Sequence, residues 1–311
     1  MPDATFAGRW AARLGPDRWR ANAPLAALTT FRVGGPAQWL VDIRSVAELE
    51  AIVADATRSG VAVSLLGGGS NVLVADAGVV GLVVRLHLTS IHQPAPDLVR
   101  ADAGVTINGL VRWTIGRGLA ALEAWAGTPG TVGGAIYGNA HWGGRNIGDL
   151  VTTAQVMTRD GHSAVAAGTA LGFAYDMSRL QRTGEILIWA EFRVSKAEPG
   201  ELRAVARESL HYRKSTQPLA TPSAGCIFQN PGAGDAVPAG IPRSAGALVD
   251  RAGLKGHRVG GARISDHHAN FIVNDGGATA ADIRALIELA RTAVRTQFGV
   301  ALRDEIVCLG F

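Results

Sequence analysis

Between positions 126 and 140 the chain reads Ala-Gly-Thr-Pro-Gly-Thr-Val-Gly-Gly-Ala-Ile-Tyr-Gly-Asn-Ala, with five glycines in the twelve positions from 127 to 138. Glycine loses the most backbone freedom on folding and weakens helix and strand interiors. Such a segment cannot be a long regular helix. It must turn tightly and let main chain approach something closely. A second run, Gly67-Gly68-Gly69-Ser70-Asn71, directly follows the largely apolar stretch 61–66, read as a buried strand. Bare backbone N–H groups after a buried strand can cradle a large anion such as a pyrophosphate, although an ordinary strand-to-loop turn reads the same way. Two such loops in one half of the chain suggest a long ligand, such as a dinucleotide. The one approximate match to the Rossmann pattern, Gly116-x-Gly118-x-x-Ala121, follows a predicted helix instead of a strand. A dinucleotide would therefore be held by a different arrangement.

The hydrophobic periods organise the rest. Strands are predicted over 39–43 and 61–66, joined by a helix over 46–59 with Ser45 as N-cap, Glu48 completing a capping box and Gly60 ending it. Further strands are predicted over 79–86, 99–106, 153–158, 163–166, 186–194 and 271–274, and a terminal strand from 300–302 and 306–309. Helices are expected over 6–14, 108–117, 201–214, 244–252 and 279–298. The last is the clearest, because Ile283, Leu286, Ile287, Ala290, Val294 and Phe298 recur at helical spacing. The composition shifts at Glu198-Pro199-Gly200. The expected organisation is thus a lead-in over 1–24, a first domain over 25–198 and a second over 199–311.

Composition removes several classes. Lys+Arg 30 against Asp+Glu 26 leaves a balance of only +4. No basic run of five or more residues occurs, which argues against nucleic acid as a partner. Residues 1–20 lack the apolar core of a signal peptide, and no apolar run approaches a membrane span. No membrane association is therefore expected, and the cytoplasm is the expected location. A monomer is slightly favoured over an oligomer. Cys226 and Cys308 belong to no metal or disulfide pattern.

Three groups carry chemistry. Cys226, in a Ser-Ala-Gly-Cys turn, is either a small buried thiol or a proton donor exposed at a strand start. Glu305 is either a solvated turn residue or an acid or base pointing into a pocket. Adjacent His267 and His268 would face opposite sides of a strand, so polar lining is favoured over a metal, and no metal is expected.

These residues together resemble the UDP-N-acetylenolpyruvoylglucosamine reductase family, from Asn22 to the C-terminus. The resemblance is carried by Asn22-x-Pro24-Leu25-x-x-x-Thr29-Thr30-Phe31-Arg32-Val33-Gly34-Gly35-Pro36, by Leu66-Gly67-Gly68-Gly69-Ser70-Asn71-Val72-Leu73, and by Gly127-x-Pro129-Gly130-Thr131-Val132-Gly133-Gly134-Ala135 with Asn139-Ala140. Gln217-Pro218, Pro222-Ser223-Ala224-Gly225-Cys226-x-Phe228-x-Asn230-Pro231, Ala252-Gly253-Leu254-Lys255-Gly256 and His268-Ala269-Asn270-Phe271 continue it. It implies an α+β fold: a PCMH-type, vanillyl-alcohol-oxidase-like FAD-binding domain plus a smaller α/β substrate-binding domain. It implies non-covalent FAD, NADPH as reductant, and reduction of the enolpyruvyl ether of a UDP-sugar in peptidoglycan precursor synthesis. The implied cofactor-binding residues are Arg32, Gly67, Gly68, Gly69, Ser70, Asn71, Thr128, Pro129, Gly130, Gly133, Gly134, Asn139 and Ala140. Tyr175, Gln217 and Asn230 are implied to bind substrate. Cys226 matches the proton donor and Glu305 the catalytic glutamate.

Two positions depart from the family's pattern. Where it carries an arginine facing the substrate carboxylate, this chain has Asp176, in Phe173-Ala174-Tyr175-Asp176-Met177-Ser178. Arg179 or another cation would have to compensate, although three residues along a strand turns a side chain to the other face. Where the family has Gly-Ala, this chain has His141-Trp142. These positions raise an alternative reading, a divergent flavoenzyme of the same fold acting on another substrate. Retention of Cys226 and Glu305 argues against a non-catalytic nucleotide-binding relative.

Overall fold

A computed structural model describes residues 5–311. Of the expected lead-in, residues 1–4 lie outside the described residues. The chain forms two compact units. The first gathers residues up to 23, 38–68 and 80–212; the second gathers 24–37, 69–79 and 213–311.

In the first unit the helix Val46–Arg58 forms where its cap predicts it. Ser45 accepts the Glu48 N–H at 3.2 Å, while the Glu48 carboxylate reaches one residue further back, to the Arg44 N–H. Leu49, Ile52, Val53 and Ala56, at helical spacing, are fully buried against Val41, Ile43, Leu82 and Val84. The strand Val63–Leu65 is not the neighbour of Pro36–Ile43. Val79–Leu86 lies between them and runs parallel to Val63–Leu65.

A five-stranded antiparallel sheet follows, in the order Ser163–Ala167, Val151–Met157, Ile186–Arg193, Leu98–Asp102, Ile91–Ala95. Its outer strand Ile91–Ala95 was not expected from the sequence. Pro94 interrupts its pattern, and proline is tolerated in a sheet only at an edge or a bulge. Both apply here, since the register shifts between His92 and Ala95. The helix Ile107–Ile115 buries Ile107, Leu110, Val111, Thr114 and Ile115.

In the second unit the helix Ala280–Phe298 packs on a three-stranded antiparallel sheet, Arg258–Val259, Ala262–Ile264 and Ile272–Asn274. Its start is satisfied twice over. Thr279 and Asp282 form a capping box, and the Asp76 carboxylate accepts the Ala280 and Ala281 N–H groups at 2.8 and 2.9 Å. The strand Val72–Val74 pairs in parallel with Val307–Leu309. Of the terminal strand expected from 300–302 and 306–309, only the second part forms. Val300 and Leu302 are buried in the core without joining a ladder. Among the described residues no helix is long and apolar enough to cross a membrane.

Ile287 is fully buried in this core. Ile287→Ala should destabilise the fold by about 2–5 kcal/mol, read as a lower urea midpoint. Asp282 is held below the usual carboxylate range, chiefly by the Thr279 N–H. Its stabilisation is therefore present at neutral pH and is lost as pH falls through the depressed native value. Asp282→Asn should lower the midpoint at neutral pH and make little difference in acid, where the native carboxylate is also protonated.

Candidate functional site

In the first unit the two glycine loops lie against each other. A Cβ at Gly68 would stand 2.7 Å from the Gly130 Cα, so the backbones touch where no side chain fits. The Gly130 carbonyl takes the Ile107 N–H at 3.0 Å, and the N–H groups of Val132 and Gly133 reach Val105 and Ala103 at 2.8 Å. Asn108 clamps the loop from below, accepting from Gly127 N–H and donating to the Thr128 carbonyl. Pro129 is exposed and Thr128 half-buried. Within the glycine-rich segment only Val132–Tyr137 is helical, with Thr131 as its cap. Gly133 and Gly134 lie in its first turn.

Asn139 has a left-handed φ of 46° and is 2% exposed. Its amide is engaged inside the protein: Oδ1 accepts the Gly148 N–H at 3.0 Å and Nδ2 donates to the Ala174 carbonyl at 2.7 Å. Ala140 accepts the Ile147 N–H, opening a short hairpin, His141–Trp142 paired with Arg145–Asn146.

The stretch 173–178 is a tight turn and not a strand, because Ala174 and Met177 exchange both backbone hydrogen bonds. Asp176 sits in it at φ 52°, a conformation costing a non-glycine residue on the order of 1 kcal/mol or more. Ser178 Oγ and Gln181 Nε2 tie the turn to the Tyr137 carbonyl. Arg179 does not compensate the aspartate. Its guanidinium donates to Glu185 at 2.9 and 3.0 Å and to the Ala170 carbonyl. The partner of Asp176 is His141, whose Nδ1 lies 2.9 Å from Oδ1. The two departures from the family pattern thus meet each other. Tyr175, which is exposed, has its ring 5.0 Å from the His141 ring.

The second unit holds the other site residues. A Cβ at Gly69 would lie 2.1 Å from the Leu28 carbonyl oxygen, and the Gly69 carbonyl accepts from the Thr30 N–H and hydroxyl. This brings half-buried Ser70 and Asn71 to the turn carrying exposed Arg32. Asn71 Nδ2 donates to the Glu305 carbonyl at 3.0 Å. The segment around Cys226 ladders with that around Glu305: the Ile227 carbonyl accepts the Glu305 N–H at 2.8 Å, Phe228 bridges Asp304, and Gln229 N–H reaches the Arg303 carbonyl. Asn270 locks the first segment by exchanging side-chain bonds with Phe228 backbone. Cys226 and Glu305, 79 positions apart in sequence, therefore stand on adjacent paired segments. Asn230 Oδ1 accepts the Ala245 N–H, and Gln217 follows the helix Pro199–Thr216.

Sequence reasoning missed Arg213. It is 6% exposed, and burial pushes its guanidinium down to about 10, with the Cys226 thiol acting in the opposite direction. A signal existed, because Leu202, Ala206, Ser209 and Arg213 recur at helical spacing and are all buried. An arginine at the end of an apolar stripe reads as an ordinary helix terminus. His267 lies in a bend and His268 in the loop just after it, neither on a strand. They line a cleft of about 170 Å³ with Ser244, Asp250 and Lys255. Among the described residues no group of three or more His, Cys, Asp or Glu could hold a metal ion.

Comparison with known proteins agrees with this geometry. Residues 37–166 match an FAD binding domain, and residues 217–309 match the UDP-N-acetylenolpyruvoylglucosamine reductase C-terminal domain. The UDP-N-acetylenolpyruvoylglucosamine reductase of Synechococcus sp. (strain WH7803) is 39% identical over 297 residues, 93% of each chain. That of Anaeromyxobacter dehalogenans (strain 2CP-C) is 41% identical over 290 residues, covering 93% of this chain and 85% of its own. The crystal structure of the reductase from Thermus caldophilus superposes with a TM-score of 0.77 at 32% identity, over 94% of this chain and 98% of that one. The expected α+β fold and FAD-binding domain are borne out.

The loop contact is directly testable. Gly68→Ala should separate the loops and markedly lower the flavin-to-protein absorbance ratio of the purified protein. Gly138→Ala, whose Cβ would meet nothing closer than 3.7 Å, should leave the ratio unchanged.

Proposed function

The chain belongs to the UDP-N-acetylenolpyruvoylglucosamine reductase family, and we propose that it reduces the enolpyruvyl ether of UDP-N-acetylglucosamine to UDP-N-acetylmuramate, with NADPH as reductant, in the cytoplasmic synthesis of peptidoglycan precursors. The observation that carries this reading is the ladder joining the Cys226 and Glu305 segments, which supports the pairing of two acid groups on one substrate.

Bound FAD would supply two-electron chemistry between NADPH and the carbon–carbon double bond. The residues fit such a group: a Cβ at Gly68 would strike the Gly130 backbone, so bare main chain lines this part of the loops that would hold it. The work of this chain is then to bind, orient and move a proton. Cys226 donates its Sγ proton to the substrate carbon that carries the developing negative charge. The thiolate left behind is stabilised by the charge of the buried Arg213 guanidinium, on which the Cys226 thiol acts electrostatically. Glu305, aligned by Asn71 and Ile227, assists as a second acid. Asn230 and Gln217 contact the UDP-sugar.

A second reading, a divergent flavoenzyme with another substrate, is favoured by one observation. A buried carboxylate, Asp176, occupies the position where the resemblance implies a substrate-facing cation.

One experiment separates the two. The purified flavoprotein is reduced anaerobically with NADPH and mixed with UDP-N-acetylglucosamine enolpyruvate. Reoxidation of the flavin is expected; its absence at millimolar substrate would sink the first reading. Cys226→Ala should then slow that reoxidation by about 10²–10⁴-fold, and Cys226→Ser should retain more of it, because a hydroxyl can still deliver a proton.

A further inference from the structure

We propose that His141 is a further catalytic residue and Asp176 its positioning partner: the imidazole, held through Nδ1 by the carboxylate, presents Nε2–H to the negative charge that develops on the substrate. This rests on the reductase reading above.

The Asp176 side chain is 7% exposed. One oxygen meets His141 Nδ1 at 2.9 Å; the other is buried without a hydrogen-bond partner. A buried carboxylate compensated on one side only strongly favours a positive charge on the group it touches, and here that group is the imidazole. The contact also fixes the tautomer. Nδ1 carries a proton in both charge states, so Nε2 is the nitrogen that gains or loses one. The same carboxylate–imidazole logic serves acid–base catalysis on unrelated folds.

The pair is built to be rigid. The Asn139 amide binds Gly148 beyond the His141 hairpin with one arm and Ala174 in the Asp176 turn with the other. Ser178 and Gln181 anchor the turn a second time. The left-handed φ of Asp176 is strain that this scaffold sustains, and such strain gathers at functional positions. Tyr175 packs on the imidazole face. Because His141 directly follows Asn139-Ala140, the dyad adjoins the glycine-rich loop.

An imidazolium differs from an arginine in one testable respect, because its charge titrates near neutrality while a guanidinium does not. Other charged or titratable groups on the surrounding elements are Tyr175 on the turn, Arg179 (bound to Glu185) and Arg182 just after it, Arg145 on the paired strand, Asp149 beyond it (bound to Asn146), Tyr137 at the helix end, and Tyr212, whose ring meets Trp142. None of these phenols or guanidinium groups ordinarily changes charge near neutral pH.

The test uses the holoenzyme. In a Cys226→Ser background, which removes the thiol from the profile, kcat/KM for the enolpyruvyl sugar should fall on the alkaline side with the loss of one proton. Asp176→Asn, which tolerates the same φ, should move that limb to lower pH. His141→Gln should lower kcat by about 10²-fold and remove the limb. Asp176→Arg should abolish the pH dependence. Independently of turnover, the pH midpoint of the His141 Cε1–H resonance should fall in Asp176→Asn relative to the wild type. An unchanged profile in His141→Gln, or a titration insensitive to Asp176→Asn, overturns the proposal. If the wild-type protein does not turn over the sugar, the reductase reading fails, and the resonance alone then decides the dyad.

Discussion

The parallel pairing of Val72–Val74 with Val307–Leu309 is the constraint on which the candidate site in the second unit depends. It joins a segment just after the first glycine loop to the last strand of the chain. Two side chains lock its register. Asn71 holds the Glu305 carbonyl, and Asp76 caps the helix Ala280–Phe298. A slip of one residue would turn Leu73, fully buried, to the other face and break both contacts. Glu305 is thus positioned by residues more than two hundred positions earlier, and Cys226 by the ladder that Glu305 completes.

Buried charge is arranged differently in the two units. In the second, Arg213 is buried, which disfavours its charge, while the Cys226 thiol acts on it in the opposite direction and a developing thiolate would favour the charge further. In the first, Asp176 is buried beside His141, a carboxylate and an imidazole held by the scaffold of Asn139. Both pairs place a costly group next to one whose protonation changes during acid–base chemistry.

Legibility followed the range of the interactions. The helix Ala280–Phe298 was readable because Thr279, Asp282, Gly299 and the apolar stripe all act within a few residues. Ser45 announced Val46–Arg58 for the same reason. The strand Ile91–Ala95 was hidden because Pro94 is admissible only at an edge, and edges are defined by neighbours. Cys226, Glu305 and the glycine loops were named from motif and resemblance. In the sequence Asp176 and His141 stand as two separate departures, since nothing local links positions 35 apart.

The sequence by itself determined the local elements, the glycine loops where backbone must approach closely, and the family to which the residues point. These follow from propensity, capping and steric rules that span a few residues. Only the tertiary structure decided that the paired departures meet, that Arg179 is taken by Glu185, that Arg213 is buried where Cys226 acts on its charge, and that the strand after the first glycine loop pairs with the last strand. Each depends on burial and on contacts distant in sequence. A charge's energy is set by what surrounds it in space, which no local pattern of residues records.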